Sequence, residues 1–168
     1  MNPTKTFTSK RKVYQFEYPA DWQIFIADDV QTVITASHTV GSLPPAVHIL
    51  TNEYERPLSD LLDELYTNVQ KKPGFLRLSH PRLFTLSDGK PAGDILYQHA
   101  GQQEPITQRD VMIHFGGSQF VSFLAFTPNG QWNEYETRFE NILNSLRVPD
   151  AAPVRSGFFK RLSDKLGR

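Results

Sequence analysis

Val13-Tyr14-Gln15-Phe16-Glu17-Tyr18-Pro19-Ala20-Asp21-Trp22 decides how this chain is read. Tyr14, Phe16 and Tyr18 fall on one side of an extended backbone and Gln15 and Glu17 on the other, the two-residue period of a half-buried strand. Pro19 fixes φ and Asp21 can hydrogen-bond its own backbone, so 19–21 is a turn, and a second strand starts at Trp22. The counterpart lies far along the chain, in Phe139-Glu140-Asn141-Ile142-Leu143-Asn144-Ser145-Leu146. Together with Trp132 and Tyr135, these apolar residues form the stripe of a closing helix over 131–147, stopped by Pro149.

Between these ends the pattern is mostly strand. Asp28-Asp29 reads as a tight turn into a strand at 30–37, and Pro44-Pro45 precedes another at 46–52. Leu58, Leu61, Leu62, Leu65 and Val69 keep helical spacing, which predicts a helix over 58–72 that Pro73-Gly74 terminates. Strands follow at 75–86 and 91–100. The clearest hairpin is 107–115 with 118–126 about a Gly116-Gly117 turn, in a register that sets Ile113 opposite Phe120.

At 168 residues, with twelve phenylalanines, the chain can bury the core of one domain. Its zero net charge hides a division. Residues 1–12 hold four basic side chains and no acid, and 155–168 hold five basic against Asp164. The body, 13–154, holds nine basic and seventeen acidic residues, a net of −8. An acidic body argues against nucleic acid as a partner. Without cysteine there is no disulfide, thiolate nucleophile or thiolate metal site. No apolar run approaches the ~18–20 residues of a membrane span, and the N-terminus lacks the apolar stretch of a signal peptide, so the expected setting is the cytoplasm. The expected division is a flexible basic arm at 1–12, a domain at 13–148, a linker at 149–154 and a basic tail at 155–168.

The order of a strand ending in Tyr18-Pro19-x-x-Trp22, antiparallel strands, helix, further strands, and a closing helix with Phe139-x-x-Ile142-Leu143-x-Ser145-Leu146 resembles the PsbP superfamily. That superfamily also holds the yeast Ran-binding import factor, DcrB-like lipoproteins and cytosolic chaperones of type VI secretion effectors. The resemblance spans about 13–148. It implies an α+β fold, an antiparallel β-sheet with packed helices in an α/β sandwich, and a role in binding other proteins without a shared catalytic site. The chain departs from PsbP and DcrB in lacking a targeting peptide and a lipid-bearing cysteine.

Several residue groups invite a chemical reading. Tyr18, Pro19 and Trp22 could form an interface platform, but aromatics in such a strand–turn–strand more often fill the core. Asp110, His114 and Ser118 have regular spacing, yet four residues of strand span roughly 13 Å, far beyond the contact that a nucleophile and its base need. His48, His99 and His114 lie on predicted strands and would make a metal or ligand site only by converging. Asp60, Asp63 and Glu64 suit the first turns of a helix. Gly116-Gly117 lacks the Lys-Ser/Thr and the helix of a phosphate loop. No catalytic, cofactor-binding or metal-binding residue is therefore assigned, and no cofactor is expected.

The tail stands apart. After Ser156, the residues Phe158, Phe159, Leu162 and Leu166 gather on one side of a helix, with Lys160, Arg161 and Lys165 elsewhere, as in segments that lie on anionic membranes or dock in a partner's groove. Half-burying four such side chains gains about 3–6 kcal/mol and each basic residue near an anionic surface adds about 1 kcal/mol. Ordering the segment costs about 1–2 kcal/mol per residue, so the expected contact is weak and reversible. The expected function is a non-catalytic accessory or adaptor protein, binding a protein through its body and an anionic membrane surface or a complex through its tail. The alternatives are a homodimeric cytosolic chaperone for hydrophobic segments of secreted effectors, and a small ligand-binding or hydrolytic domain.

Overall fold

The computed structural model describes residues 3–10, 13–27, 30–36, 43–128 and 130–147. Strands β1 (Thr4–Thr8), β2 (Gln15–Pro19), β3 (Gln23–Ala27), β4 (Gln31–Thr35) and β5 (Ala46–Glu53) precede helix α1 (Leu58–Val69). Strands β6 (Leu76–Arg77), β7 (Arg82–Thr85), β8 (Pro91–His99), β9 (Ile106–Gly116) and β10 (Gln119–Pro128) then lead to helix α2 (Trp132–Ser145). One antiparallel sheet runs β3-β4-β5-β10-β9-β8-β6, with β7 also paired to β8, and β1 and β2 form a separate ribbon.

Strand alternation sorts the side chains into two layers. On β9, Val111 and Ile113 point to one face, where they meet Phe139, Ile142 and Leu143 of α2, Phe16 and Tyr18 of β2, and Trp22. Met112 points to the other face, against Leu61 of α1 and Phe120. Farther along α1, Val69 packs on Ile95 and Tyr97 of β8. The sheet is thus sandwiched, with α2 and the β1–β2 ribbon on one side and α1 on the other, and the expected α+β sandwich is the observed fold.

Trp22 belongs to the core. It is 2% exposed, and its ring meets that of Phe139 edge-on at 6.0 Å. α1 comes close to the sheet because β8 offers Gly93, where a Cβ would lie 3.0 Å from Leu62 Cδ2. A Cβ there would require the Leu62 and Leu83 side chains to give by a few tenths of an ångström.

Four expectations are corrected. Residues 4–8, read as part of a flexible arm, form β1, with Phe7 on Phe16 at 5.3 Å. Only one apolar side chain marks this strand, so its alternation was invisible. α1 ends at Val69, and Lys71 and Lys72 follow it in a turn. The single strand expected over 75–86 is two short ones, β6 and β7, separated around Pro81, which has no N–H to give a ladder. In the β9–β10 hairpin the turn is Gly117-Ser118, and Phe120 faces His114 while Val121 faces Ile113. Gly116 and Gly117 take φ of 104° and 58°, which L side chains rarely adopt, and a register shift at Gln119/Phe120 moves the pairing by one residue.

Candidate functional site

The two faces of the sheet hold a buried aspartate each. On the α2 side, Asp94 of β8 is 2% exposed and receives Arg109 Nε at 2.8 Å, Arg109 Nη2 at 2.7 Å and Arg82 Nε at 2.8 Å. Arg109 also pairs with Glu140 of α2, tying the helix to the sheet. Charge meets charge here, as burial demands.

On the α1 side, Asp110 of β9 is 4% exposed and meets neutral donors. Tyr97 Oη donates to Oδ2 at 2.9 Å and Gln108 Nε2 donates to Oδ1 at 2.6 Å. Lys72 Nζ donates to Tyr97 Oη at 2.9 Å and reaches Gln108 Oε1 at 3.4 Å, one group removed from the carboxylate. His99 Nε2 lies 3.0 Å from the same Gln108 oxygen. Lys72 gets there because the chain turns at Pro73-Gly74 and is pinned to the end of β8 by Ala100 N donating to Pro73 O at 2.7 Å. Burial raises the Asp110 carboxyl above its ordinary range, a push the bonds from Gln108 and Tyr97 and the charge of Lys72 oppose only in part. Burial, with Asp110 alongside, raises the Tyr97 hydroxyl as well.

Beside Asp110 opens a cavity of about 160 Å³ between α1 and the sheet. Its walls include Leu61, Leu65, Met112 and Leu124, with Glu64 and Asn68 on the helix side. Arg56 also lines it and pairs with Glu64. The cavity marks the border of α1. α1 covers β8 and β9, and no described helix covers β3, β4 and β5 on this side.

That uncovered part is a strip of half-buried side chains. Cross-strand pairing places Val33 beside His48 and Leu124, and Gln31 beside Leu50 and Ser122. His48 stands edge-on to Phe126 at 5.1 Å, and burial lowers its pKa. Where β3 ends the sheet, Phe25 sits in a register shift and is 63% exposed. Val30 and Leu43 are also exposed.

A larger groove, about 750 Å³, separates the β1–β2 ribbon from the outer flank of α2. Thr4, Thr6 and Glu17 line one side and Arg138, Asn141 and Asn144 the other. Ser145 Oγ closes part of it by accepting from Glu17 N at 2.8 Å.

The residues singled out in the sequence scatter. His48 lies on β5 against Phe126, His99 beside Gln108, and His114 stacks on Phe120 while its Nε2 lies 3.0 Å from Gly117 O. They do not converge, and Asp110, His114 and Ser118 form no relay, because Asp110 is held by Tyr97 and Gln108. Among the described residues there is no group of three or more His, Asp or Glu placed to hold a metal. No described helix is long and apolar enough to cross a membrane. Phe158, Phe159, Lys160, Arg161, Leu162, Lys165 and Leu166 lie outside the described residues, as does the linker at 149–154. The Lys72–Tyr97–Asp110–Gln108–His99 network was not foreseen. Its one sequence signal is Arg109-Asp110 at the start of the apolar run Val111-Met112-Ile113, a place where charge is costly unless partnered.

No family model matches the chain, and no curated protein matches it. Solved structures do. Cyanobacterial PsbP (CyanoP) from Synechocystis sp. PCC 6803 superposes with a TM-score of 0.62 at 13% identity, covering 89% of this chain and 94% of its own. LpqN of Mycobacterium tuberculosis, involved in cell envelope biogenesis, gives 0.65 at 12%, covering 88% and 87%. The Ran-binding protein Mog1p of Saccharomyces cerevisiae gives 0.58 at 10%, covering 88% and 96%. At these identities the likeness is one of fold, and the chain has the PsbP-type fold that its sequence resembles.

Proposed function

We propose that this chain is a non-catalytic accessory protein that binds another protein through the uncovered, α1-side strip of its sheet. The observation that carries this reading is the strip itself. Val33, Leu50, Leu124 and Phe126 lie partly exposed on one face of β4, β5 and β10, interspersed with Gln31, His48 and Ser122, and Phe25 on the edge strand β3 is 63% exposed. Apolar surface gathered on one face of a sheet, bordered by polar residues, is a common form of docking site. Mog1p, of the same fold, is a Ran-binding protein, which agrees with protein recognition as the use of this scaffold.

The tail, Phe158 to Leu166, would supply a second, weaker contact with an anionic membrane surface or a larger complex, which makes the protein a cytoplasmic, peripheral adaptor. Leu50→Glu tests the main claim. It should abolish partner capture by the full chain while the circular dichroism spectrum stays unchanged. Equal capture by both forms, or turnover of a small molecule without capture, overturns the reading.

The apolar character of the strip also favours a second reading, a chaperone for hydrophobic segments of secreted effectors. That role calls for a homodimer enclosing the strip, so a monomer in sedimentation at micromolar concentration excludes it.

A further inference from the structure

The geometry points to a specific anchor within the docking site. We infer that the cavity beside Asp110 receives a primary ammonium group on an unbranched alkyl stem, a lysine side chain carried by the protein partner. The inference rests on the strip being the partner's site, since Leu124 belongs to both the strip and the cavity wall.

The comparison with Asp94 shows what Asp110 lacks. Both carboxylates are nearly inaccessible, yet Asp94 is ion-paired with two arginines, and no described cation forms an ion pair with Asp110. A carboxylate has about four acceptor directions, and Tyr97 and Gln108 use two of them. The open directions belong to a residue that lines a cavity. Around it stand Lys72 and His99 beyond Tyr97 and Gln108, Glu64 on α1, and Arg56 and Tyr54 before the helix. Arg56 is engaged by Glu64, so the mouth keeps no strong excess of positive charge to repel an incoming ammonium.

The walls choose the stem. Leu61, Leu65, Met112 and Leu124 make an apolar sleeve in a cavity of about 160 Å³, and an apolar cavity of about 150 Å³ is known to hold benzene, so a four-carbon chain fits. Asn68 and Ser122 also line it and can accept further N–H bonds. Each carboxylate oxygen already has one donor, which suits a compact ammonium with three rotatable donors better than a planar guanidinium fork.

n-Butylammonium is the probe, with n-butanol and tetramethylammonium as controls lacking the charge and the N–H donors respectively. At pH 7 the full chain should bind it with roughly millimolar affinity, as befits so small a ligand. Its melting temperature should rise by about 3–6 °C at tenfold over half-saturation. The Asp110 carboxyl, followed by its carbon-13 shift, should titrate about one pH unit lower or more. Asp110→Asn should lose the response, and so should Leu124→Trp, which fills the cavity and leaves the hydrogen bonds intact. An unchanged Asp110 titration, or an equal melting shift in Asp110→Asn, overturns the inference. If the probe is silent while a partner crosslinks from Leu50, the ammonium site is wrong and the docking strip stands. If the probe binds through Asp110 and no partner crosslinks from Leu50, the ammonium site stands and its lysine source is overturned.

Discussion

The two faces of the sheet solve the same problem in opposite ways. On the α2 side the sheet is covered: aromatic and aliphatic residues from α2, β2 and the sheet share one cluster, and the buried Asp94 is matched by Arg109 and Arg82. On the α1 side a single helix among the described residues covers part of the sheet, and the buried Asp110 is held by a tyrosine and a glutamine. In the first, the buried carboxylate finds its counter-charges within the chain. The second leaves half-buried apolar strands and a carboxylate without an ion pair among the described residues.

Substitutions should expose this contrast, and the largest effect belongs to the closed face. Asp94→Ala strands Arg109 in the interior with only Glu140 for company, and should lower unfolding free energy by about 3–5 kcal/mol in urea titrations. Most of that comes through Arg109, because Arg82 is 62% exposed and its pair with Asp94 is screened.

Asp110→Asn should act with the opposite sign. The folded protein holds this carboxyl above its ordinary range, so it binds the proton more tightly than the unfolded chain does. Around pH 4 and below, wild type and variant should be alike. As pH rises through the folded value the wild type comes to bear the cost of a buried charge, and the variant does not. Stability measured at pH 8 should favour the variant by on the order of 1 kcal/mol. A variant less stable than wild type at pH 8 would mean that Lys72 already neutralises the site.

Leu50→Glu should lower stability by about 1 kcal/mol, because the side chain is partly buried on the open strip, while removing partner binding. The smallest effect on folding belongs to the tail. Ending the chain at Val154 should leave stability within about 0.5 kcal/mol and abolish co-sedimentation with anionic vesicles. Retention of vesicle binding would move the membrane contact to the body.

Much of the closed face was legible in the sequence, because its signals are local. The Tyr14-x-Phe16-x-Tyr18 alternation and the 139–146 stripe announce which residues meet, and Leu58 to Val69 announces α1. The hairpin was legible except for its register, which positive φ at Gly116 and a shift at Gln119 move by one place. β1 escaped because Phe7 alone marks it. The Asp110 network escaped for a different reason. Its members at 72, 97, 99, 108 and 110 come from a post-helix turn and two strands, and only pairing Tyr97 with Gln108 brings them together. Likewise, nothing in the sequence says that α1 stops short of β5, since helix spacing shows which side is buried and not how much sheet it covers.

The central claim is that the open strip is where a protein partner binds, and position-specific crosslinking tests it most directly. A photoreactive amino acid would be placed in the full chain at Leu50, and in parallel at Asn141 on the outer flank of α2. The account predicts one defined crosslinked species from Leu50, lost when Leu124→Glu is added, and none from Asn141. Crosslinks of equal yield from both positions, or from Asn141 alone, would contradict it.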